Sequence, residues 1–124
     1  TDHPSSLVRN RAAIALGMMT PGESFKGLRS LLSDPEPNVR WNAAVSLAKH
    51  GDPSGRNVLM NLLDRSYLAK FSGVDRYERE QAMRVAVQAA AMLDDSEIDD
   101  VLKTLSVTDE NLKLRDLAMK ALKL

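Results

Sequence analysis

The sequence predicts an all-α fold, an α-solenoid made of stacked helix pairs. An arginine preceded by an apolar residue recurs four times, at Arg9, Arg40, Arg84 and Arg115. The intervals are 31, 44 and 31 residues, and periods of this size indicate helical repeats. Apolar residues between these arginines follow the helical period of 3.6, and capping residues separate them. About three and a half repeats fit into one domain over residues 1–124.

The second copy of the repeat, Asp34 to Leu47, is the clearest. It reads DPEPNVRWNAAVSL, with an acid six residues before the arginine. An acid holds that position in three of the four copies, and His3 holds it in the first. On a helical wheel the apolar residues of this copy cover about two-thirds of the circumference, so we expect a helix packed on both sides. Its outer strip would be Asn42, Ser46 and Lys49.

An Asp-Pro opening, a Val-Arg pair, an Ala-Ala pair and a following leucine resemble the HEAT repeat in its short bacterial form. The resemblance covers nearly the whole chain and implies a right-handed superhelix of HEAT-like helix pairs. It also implies a ladder of acids and arginines between neighbouring repeats. The ladder residues would be, pair by pair, Asp34 and Arg40, Glu78 and Arg84, and Asp109 and Arg115.

Capping signals set the expected helix boundaries. Thr20-Pro21-Gly22-Glu23 predicts a helix that continues to Leu32. Gly51 is expected to end the helix of the second copy. Asp75 with Glu78 predicts a capping box for a later helix. The remaining helices are expected to begin at Asp95 or Ser96 and at Thr108.

The third repeat begins 13 residues later than a plain repeat would, which places an insertion within residues 64–80. It contains Tyr67, Phe71 and Tyr77, three of the five aromatic residues of the chain. We expect its first part to extend the preceding helix through Leu68.

Composition narrows the functional classes. The chain has 17 basic and 17 acidic residues, so it lacks the positive charge that drives non-specific nucleic-acid binding. It has no cysteine, which excludes disulfides and thiolate metal sites. We find no signal peptide and no apolar run of membrane-spanning length, and we expect a cytoplasmic protein without membrane insertion. Because the chain begins with Thr1 and its first residues already match the opening of a repeat, we expect a fragment of a longer protein.

The residues needed for catalysis are scarce. Only His3 and His50 are present, and His50 is interpreted as a cation at a helix end. An acidic run from Asp94 to Asp100 suggests a cation site, but its place at a helix start favours capping. We therefore expect a protein that is not an enzyme and has no cofactor and no metal.

The geometry of stacked second helices is the main functional signal, because solenoids commonly bind partners on such surfaces. The alternative for this surface is an ordinary solvated face. The insertion is a candidate clamp at its edge. The predicted partner-binding residues are Lys26, Arg29, Asn57, Met60, Asn61, Asp100 and Lys103 on the second helices, and Tyr67, Phe71 and Tyr77 in the insertion.

The predicted function is a non-catalytic module or scaffold that binds another protein. One alternative is a subunit of a lyase-type or chaperone-like complex, since similar short repeats occur in bilin lyases. A second alternative is a nucleic-acid-binding HEAT-like domain, which would need a uniformly basic face. The outer strip becomes apolar in the last two repeats, and we expect the aromatic residues of the insertion or a second copy of the chain to cover it; the alternative is the remainder of a longer parent protein. That strip is Ala86, Ala90 and Leu93, then Leu117, Ala121 and Leu124.

Overall fold

A computed structural model of the chain describes residues 25–122. Over this range the polypeptide forms seven α-helices, one 3-10 helix and no strand, which confirms the predicted all-α class. The chain divides into two compact units, Thr1–Leu59 and Met60–Leu124, which we call unit 1 and unit 2. The helix predicted for the first repeat and the cap predicted at Thr20 lie outside the described residues.

Unit 1 contains helix α1 (Phe25–Leu31), helix α2 (Pro37–Lys49), a 3-10 helix (Pro53–Gly55) and the first part of helix α3 (Arg56–Leu62). Leu28 of α1 is fully buried in a core cluster with two α2 residues, Ala43 and Leu47. Helix α1, the second helix of the first repeat, therefore packs against α2, the first helix of the second repeat.

The sequence explains both ends of α2. Proline stands at its first position, where the missing N–H costs nothing. Gly51 follows the helix with a φ of +78°, and its N–H donates to the Ala48 carbonyl at 2.9 Å. The predicted glycine terminator is thus confirmed. The apolar residues of the wheel are buried as expected, including Trp41 at 6% exposure, while Lys49 is exposed.

Gly55 allows the 3-10 helix to lie directly against α2. A Cβ atom added at Gly55 would be 2.8 Å from the Cα of Ala44 and 2.9 Å from its Cβ. Contacts this short do not occur between real side chains, so the close approach requires glycine at this position.

Unit 2 contains the end of α3, helix α4 (Arg65–Leu68), helix α5 (Arg76–Ala90), helix α6 (Ser96–Thr108) and helix α7 (Leu112–Ala121). Helix α7 packs against both α5 and α6. The core of the unit is formed by apolar residues of every helix, with Leu68, Met83, Ile98, Leu102 and Ala118 all 0% exposed.

Capping residues explain where the helices of unit 2 begin. The predicted capping box at α5 is confirmed, with the Glu78 N–H donating to Asp75 at 2.8 Å and the Asp75 N–H donating to Glu78 at 3.2 Å. Asp95 caps α6 as predicted, accepting from two main-chain N–H groups. Thr108 does not cap α7: it ends α6, and Asn111 is the cap.

The insertion does not extend α3 as we expected. Helix α3 ends at Leu62, and Asp64 then starts α4 as a separate short helix by accepting from the Ser66 N–H at 2.9 Å. The side-chain oxygen of an aspartate competes for nearby amides, which favours a new helix start over continuation.

The apolar strip of the last two repeats is largely covered within unit 2. Ala86, Ala90 and Leu93 are buried, and Leu117 and Ala121 are half-buried. Leu124 lies outside the described residues. Self-association through this end of the chain stays a prediction.

Candidate functional site

A groove in unit 2 lies between the end of α3 and α6, with a cavity volume of about 520 Å³. Volumes of about 300–1,000 Å³ are common for binding sites in proteins. We call it the α3/α6 groove. Its lining consists of Met60, Leu63, Asp64, Arg65, Val101, Thr104, Leu105, Thr108, Asp109 and Glu110.

The groove has an apolar part because two amphipathic helices contribute to it. Met60 comes from the end of α3, Leu63 directly follows that helix, and Val101 and Leu105 come from α6. Leu63 and Leu105 are buried, whereas Met60 and Val101 are half-buried. Thr104 is exposed beside them. A side chain of a partner could therefore displace water from Met60 and Val101 without unfolding either helix.

A cluster of charged residues closes one end of the groove, centred on Arg65 at the start of α4. Its Nε and Nη2 donate to the two carboxylate oxygens of Asp109 at 2.7 and 2.8 Å. Its Nη1 and Nη2 donate to the two oxygens of Glu80 at 2.5 and 2.9 Å. Asn111 donates to Glu80 at 2.7 Å. One guanidinium thus joins α4, α5 and the α6–α7 turn by paired hydrogen bonds.

The cluster shifts the ionisation of both carboxyls. The hydrogen bond from Arg65 lowers the pKa of Glu80 from 4.5 to about 2; burial opposes this shift, and the hydrogen bond from Asn111 adds to it. Burial alone would raise the pKa of Asp109, but hydrogen bonds from Arg65 and the Asn111 main chain lower it below its usual value. Both groups are therefore ionised at neutral pH.

The predicted ladder pairs are not formed as expected. Arg40 donates to the main-chain carbonyls of Asp34 and Pro35 at 2.8 and 3.1 Å. Arg115 donates to the main-chain carbonyl of Asp109 at 2.5 Å, because the Asp109 carboxylate binds Arg65. Arginines near the start of these helices thus satisfy carbonyls of the preceding turn instead of pairing with its acid.

The pairing of Glu78 with Arg84 is wrong for a geometric reason. Both residues lie within α5, and residues six apart on one helix do not share a face. Glu78 belongs to the capping box and Arg84 is exposed. The arginine of α5 that binds a preceding carbonyl is Arg79, which donates to Val74 at 3.0 Å. Helix α5 begins eight residues before Arg84, whereas α2 begins three residues before Arg40.

The predicted surface residues of unit 1 are Lys26, Arg29 and Asn57, and all three are exposed. Arg29 is nevertheless held in place. Its guanidinium donates to Asp52 at 2.6 Å and to Ser54 at 3.0 Å, and it lies 5.6 Å from the centre of the Phe25 ring. Burial would raise the pKa of Asp52, but bonds from Ser54 and then Arg29 lower it.

The predicted surface residues of unit 2 belong to the two helices that border the groove. Met60 lines it, Asn61 and Lys103 are exposed on the same two helices, and Asp100 directly precedes the lining residue Val101. The structure therefore places one predicted residue in the groove lining, and each of the other three is next in sequence to a lining residue.

The aromatic residues of the insertion do not form one surface. Tyr67 and Phe71 are half-buried and contact each other edge to face, with ring centres 5.1 Å apart. Tyr77 is 70% exposed on α5, where its hydroxyl accepts from Gln81 at 3.4 Å. A clamp built from all three rings stays a prediction.

The acidic run and His50, the other candidate groups of the sequence, have structural contacts. The acidic run includes the cap of α6, as its structural interpretation predicts. Residues 25–122 contain no group of three or more His, Asp or Glu side chains arranged to hold a metal ion. His50 is half-buried, with its Nδ1 2.8 Å from the Ser46 carbonyl and its ring against Phe25.

Sequence reasoning missed Arg65 and Glu80. Asp109, the other partner of Arg65, belongs to a recurring local arrangement. The three buried acids Asp34, Asp52 and Asp109 each accept a hydrogen bond from the main-chain N–H two residues later. The arginine that pairs with Asp109 lies 44 residues away, and no local pattern identifies it.

None of the helices in the described part of the chain is long and apolar enough to cross a membrane.

Comparison with known proteins agrees with this architecture. The family model described as HEAT repeats matches residues 1–70. A curated relative, the "Uncharacterized phycocyanin operon protein Y" of Pseudanabaena tenuis (strain PCC 7409), is 31% identical over 118 residues. That alignment covers 94% of this chain and 25% of the relative, so the chain spans about a quarter of that protein's length. No solved structure matches the chain. Because the match to the repeat covers more than half of the sequence, the chain belongs to the HEAT-repeat family.

Proposed function

We propose that this chain is a non-catalytic protein-binding module and that the α3/α6 groove of unit 2 is its binding site. HEAT repeats generally mediate protein interactions. The observation that carries the proposal is the groove itself, whose volume of about 520 Å³ combines half-buried apolar side chains with polar groups around them. Interfaces commonly have this arrangement of an apolar centre and a polar rim.

The charge of the predicted binding residues favours a protein partner over nucleic acid. In unit 2 the predicted binding residues Asp100 and Lys103 have opposite charge. The groove next to them is lined by three carboxylates and one guanidinium. A surface of this kind repels phosphate groups, which dominate nucleic-acid affinity. The nucleic-acid alternative is therefore less well supported.

The test is site-specific photo-crosslinking in the source cell. A photoreactive amino acid at Met60 or at Thr104, both in the groove lining, should capture a partner protein. The same amino acid at Lys113, which is exposed on α7 and outside the lining, is the control. The proposal predicts the same crosslinked protein from both groove positions and its absence from the control. Equal crosslinking at all three positions would contradict it.

A matched pair of methionine variants then measures affinity for the captured protein. Met60→Asp places a charge in the groove, whereas Met119→Asp places one at a methionine of α7 that is 42% exposed and outside the lining. We expect Met60→Asp to weaken binding at least tenfold, about 1.4 kcal/mol, and Met119→Asp to leave it within about twofold. Equal effects of the two variants would place the interface elsewhere.

A second candidate, a subunit of a lyase-type or chaperone-like complex, is favoured by one observation. The curated relative is named for a phycocyanin operon. Under this candidate, the partner of the present chain would be a phycocyanin polypeptide. Binding of purified phycocyanin to the wild-type chain, with weaker binding by Met60→Asp, would favour this candidate. Because the chain spans a quarter of that relative, the experiment should be repeated with the full parent protein.

A further inference from the structure

The lining of the α3/α6 groove is acidic although the chain as a whole is neutral. The chain contains 17 basic and 17 acidic residues. Among the described residues that line the groove, Asp64, Asp109 and Glu110 are acidic, Arg65 is basic and none is lysine. The lining therefore carries a net charge of minus two at neutral pH.

The one guanidinium of the groove is already occupied. Arg65 forms paired hydrogen bonds with Asp109 and with Glu80, so two carboxylates share a single positive charge. The Arg65 Nε is 3.8 Å from Glu110, which is within ion-pair range but beyond hydrogen-bond distance. Arg65 consequently cannot fully neutralise the remaining carboxylates of the groove.

The two remaining carboxylates are accessible. Glu110 has a side chain that is 67% exposed. Asp64 is exposed at the start of α4, where its Oδ1 accepts the N–H of Ser66. Both carboxylates stand near the apolar residues of the same groove, Met60 and Leu63 among them. An apolar surface and a negative charge are thus presented together.

We propose that the groove binds a short segment of a partner protein that carries an aliphatic or aromatic side chain with lysine or arginine beside it. The apolar side chain would pack on Met60, Leu63, Val101 and Leu105. The basic side chain would reach Asp64 or Glu110. This inference rests on the proposed function and specifies the chemistry of the segment that the groove selects. Charge complementarity of this kind provides specificity between otherwise similar partners.

Binding of designed peptides to the purified chain tests this selection. The first peptide is a short helix with three leucines along one face and two lysines at one end. The second has glutamates in place of the lysines, and the third keeps the lysines but has serines in place of the leucines. Fluorescence anisotropy measures affinity, and amide chemical shifts of the isotope-labelled chain locate the bound peptide.

We expect the leucine-lysine peptide to bind at least tenfold more tightly than either of the other two, with affinity that falls as salt is added, since exposed ion pairs are screened. The amides that shift should be those of the groove lining, including Val101 and Thr104.

Variants of the chain test the contribution of the two carboxylates. In the double variant Asp64→Asn with Glu110→Gln, asparagine retains the helix-capping ability of Asp64. We expect this double variant to lower the affinity for the leucine-lysine peptide by about fivefold, because each exposed ion pair contributes little. The control removes two exposed carboxylates that do not line the groove, by Asp94→Asn with Asp116→Asn. It should leave the affinity within about twofold.

Different failures have different meanings. Equal affinity for the lysine and glutamate peptides, both in the groove, would overturn the charge selection and leave the proposed function intact. Binding that shifts amides outside the lining, or equal losses in the two double variants, would overturn the inference as well. The absence of binding by any peptide would also overturn it. The photo-crosslinking experiment fails or succeeds without these peptides and so tests the proposed function separately.

Discussion

Replacement of Arg65 by alanine tests the charged cluster that closes the groove. The substitution removes four charge-assisted hydrogen bonds to Asp109 and Glu80. It leaves the Asp109 carboxylate, whose side chain is 2% exposed, without its guanidinium partner. Loss of one partner of a buried ion pair costs roughly 3–5 kcal/mol. Because the Arg65 side chain is 26% exposed, water partly compensates, and we expect a loss of about 3 kcal/mol in unfolding free energy at neutral pH.

The same cluster predicts how that loss depends on pH. The pKa of Glu80 is lowered from 4.5 to about 2, chiefly by the hydrogen bond from Arg65, which corresponds to at most about 3–4 kcal/mol and to about 2 kcal/mol once partial hydration is considered. A pKa lowered by folding stabilises the protein above the unfolded value of 4.5, and this contribution disappears as the pH falls towards 2. Asp109, whose pKa is also lowered, contributes with the same sign. The difference between wild type and Arg65→Ala should therefore be largest near pH 7 and shrink below about pH 4.5.

Urea denaturation followed by circular dichroism at several pH values between 7 and 3 provides the measurement. Arg84→Ala is the matched control, because Arg84 is exposed in the middle of α5. The control should change the unfolding free energy by less than about 0.5 kcal/mol. Two results would refute the reasoning: an Arg65→Ala variant as stable as the control, or a loss of stability that stays constant between pH 7 and pH 3.

Two further substitutions test contacts that the sequence did not reveal. Gly55→Ala should cost about 1–3 kcal/mol, because the added Cβ would lie 2.8 Å from the Ala44 main chain, whereas Gly73→Ala, with no atom within 4 Å of the new Cβ, should be nearly neutral. Thermal denaturation of the two variants measures this difference. Arg40→Ala should cost about 1 kcal/mol through loss of its bonds to the carbonyls of Asp34 and Pro35. Its unfolding free energy is obtained by urea denaturation at neutral pH, with Arg84→Ala again as the control.

Equal stabilities of the two glycine variants would show that the 3-10 helix can move away from α2 at little cost. An Arg40→Ala curve that coincides with wild type would show that solvent replaces the two bonds to main-chain carbonyls without loss. In that case the recurrent arginine would have no measurable role in the stability of the repeat.

The position of the α3/α6 groove, the proposed binding site, was predictable only in part. Met60 was predicted because it faces outward on the second helix of its repeat, and it lines the groove. Leu63, Val101 and Leu105 also line the groove, and none of them was predicted to do so. A residue's place on a helical wheel indicates which face it occupies. It does not indicate whether the neighbouring helix covers that face completely or leaves a gap.

The repeat alignment in the third copy shows a similar limit. Met83 is buried at the position equivalent to Val39 in α2, so the apolar register was right. The helix around it nevertheless begins more than a turn earlier, at Arg76, because the insertion supplies its own capping box. Apolar register is set by the core, whereas a helix start is set by the nearest side chain able to cap it.

What the sequence by itself determined is therefore the local and periodic part of the molecule. The terminating Gly51 and the caps at Asp75 and Asp95 depend on residues within about one helical turn of each other, and the repeat shows as the recurrence of such local patterns along the chain. Such interactions recur wherever the pattern recurs, so the pattern is enough to predict them.

Only the tertiary structure decided which charged groups meet and where a groove remains. Arg65 reaches Asp109 across 44 residues of sequence, while Arg115, the nearer arginine, binds the Asp109 main-chain carbonyl instead. An arginine can satisfy a carboxylate or a carbonyl with similar geometry. The choice depends on distances between helices that are far apart in the chain, and those distances are set by how side chains pack and not by their spacing in the sequence.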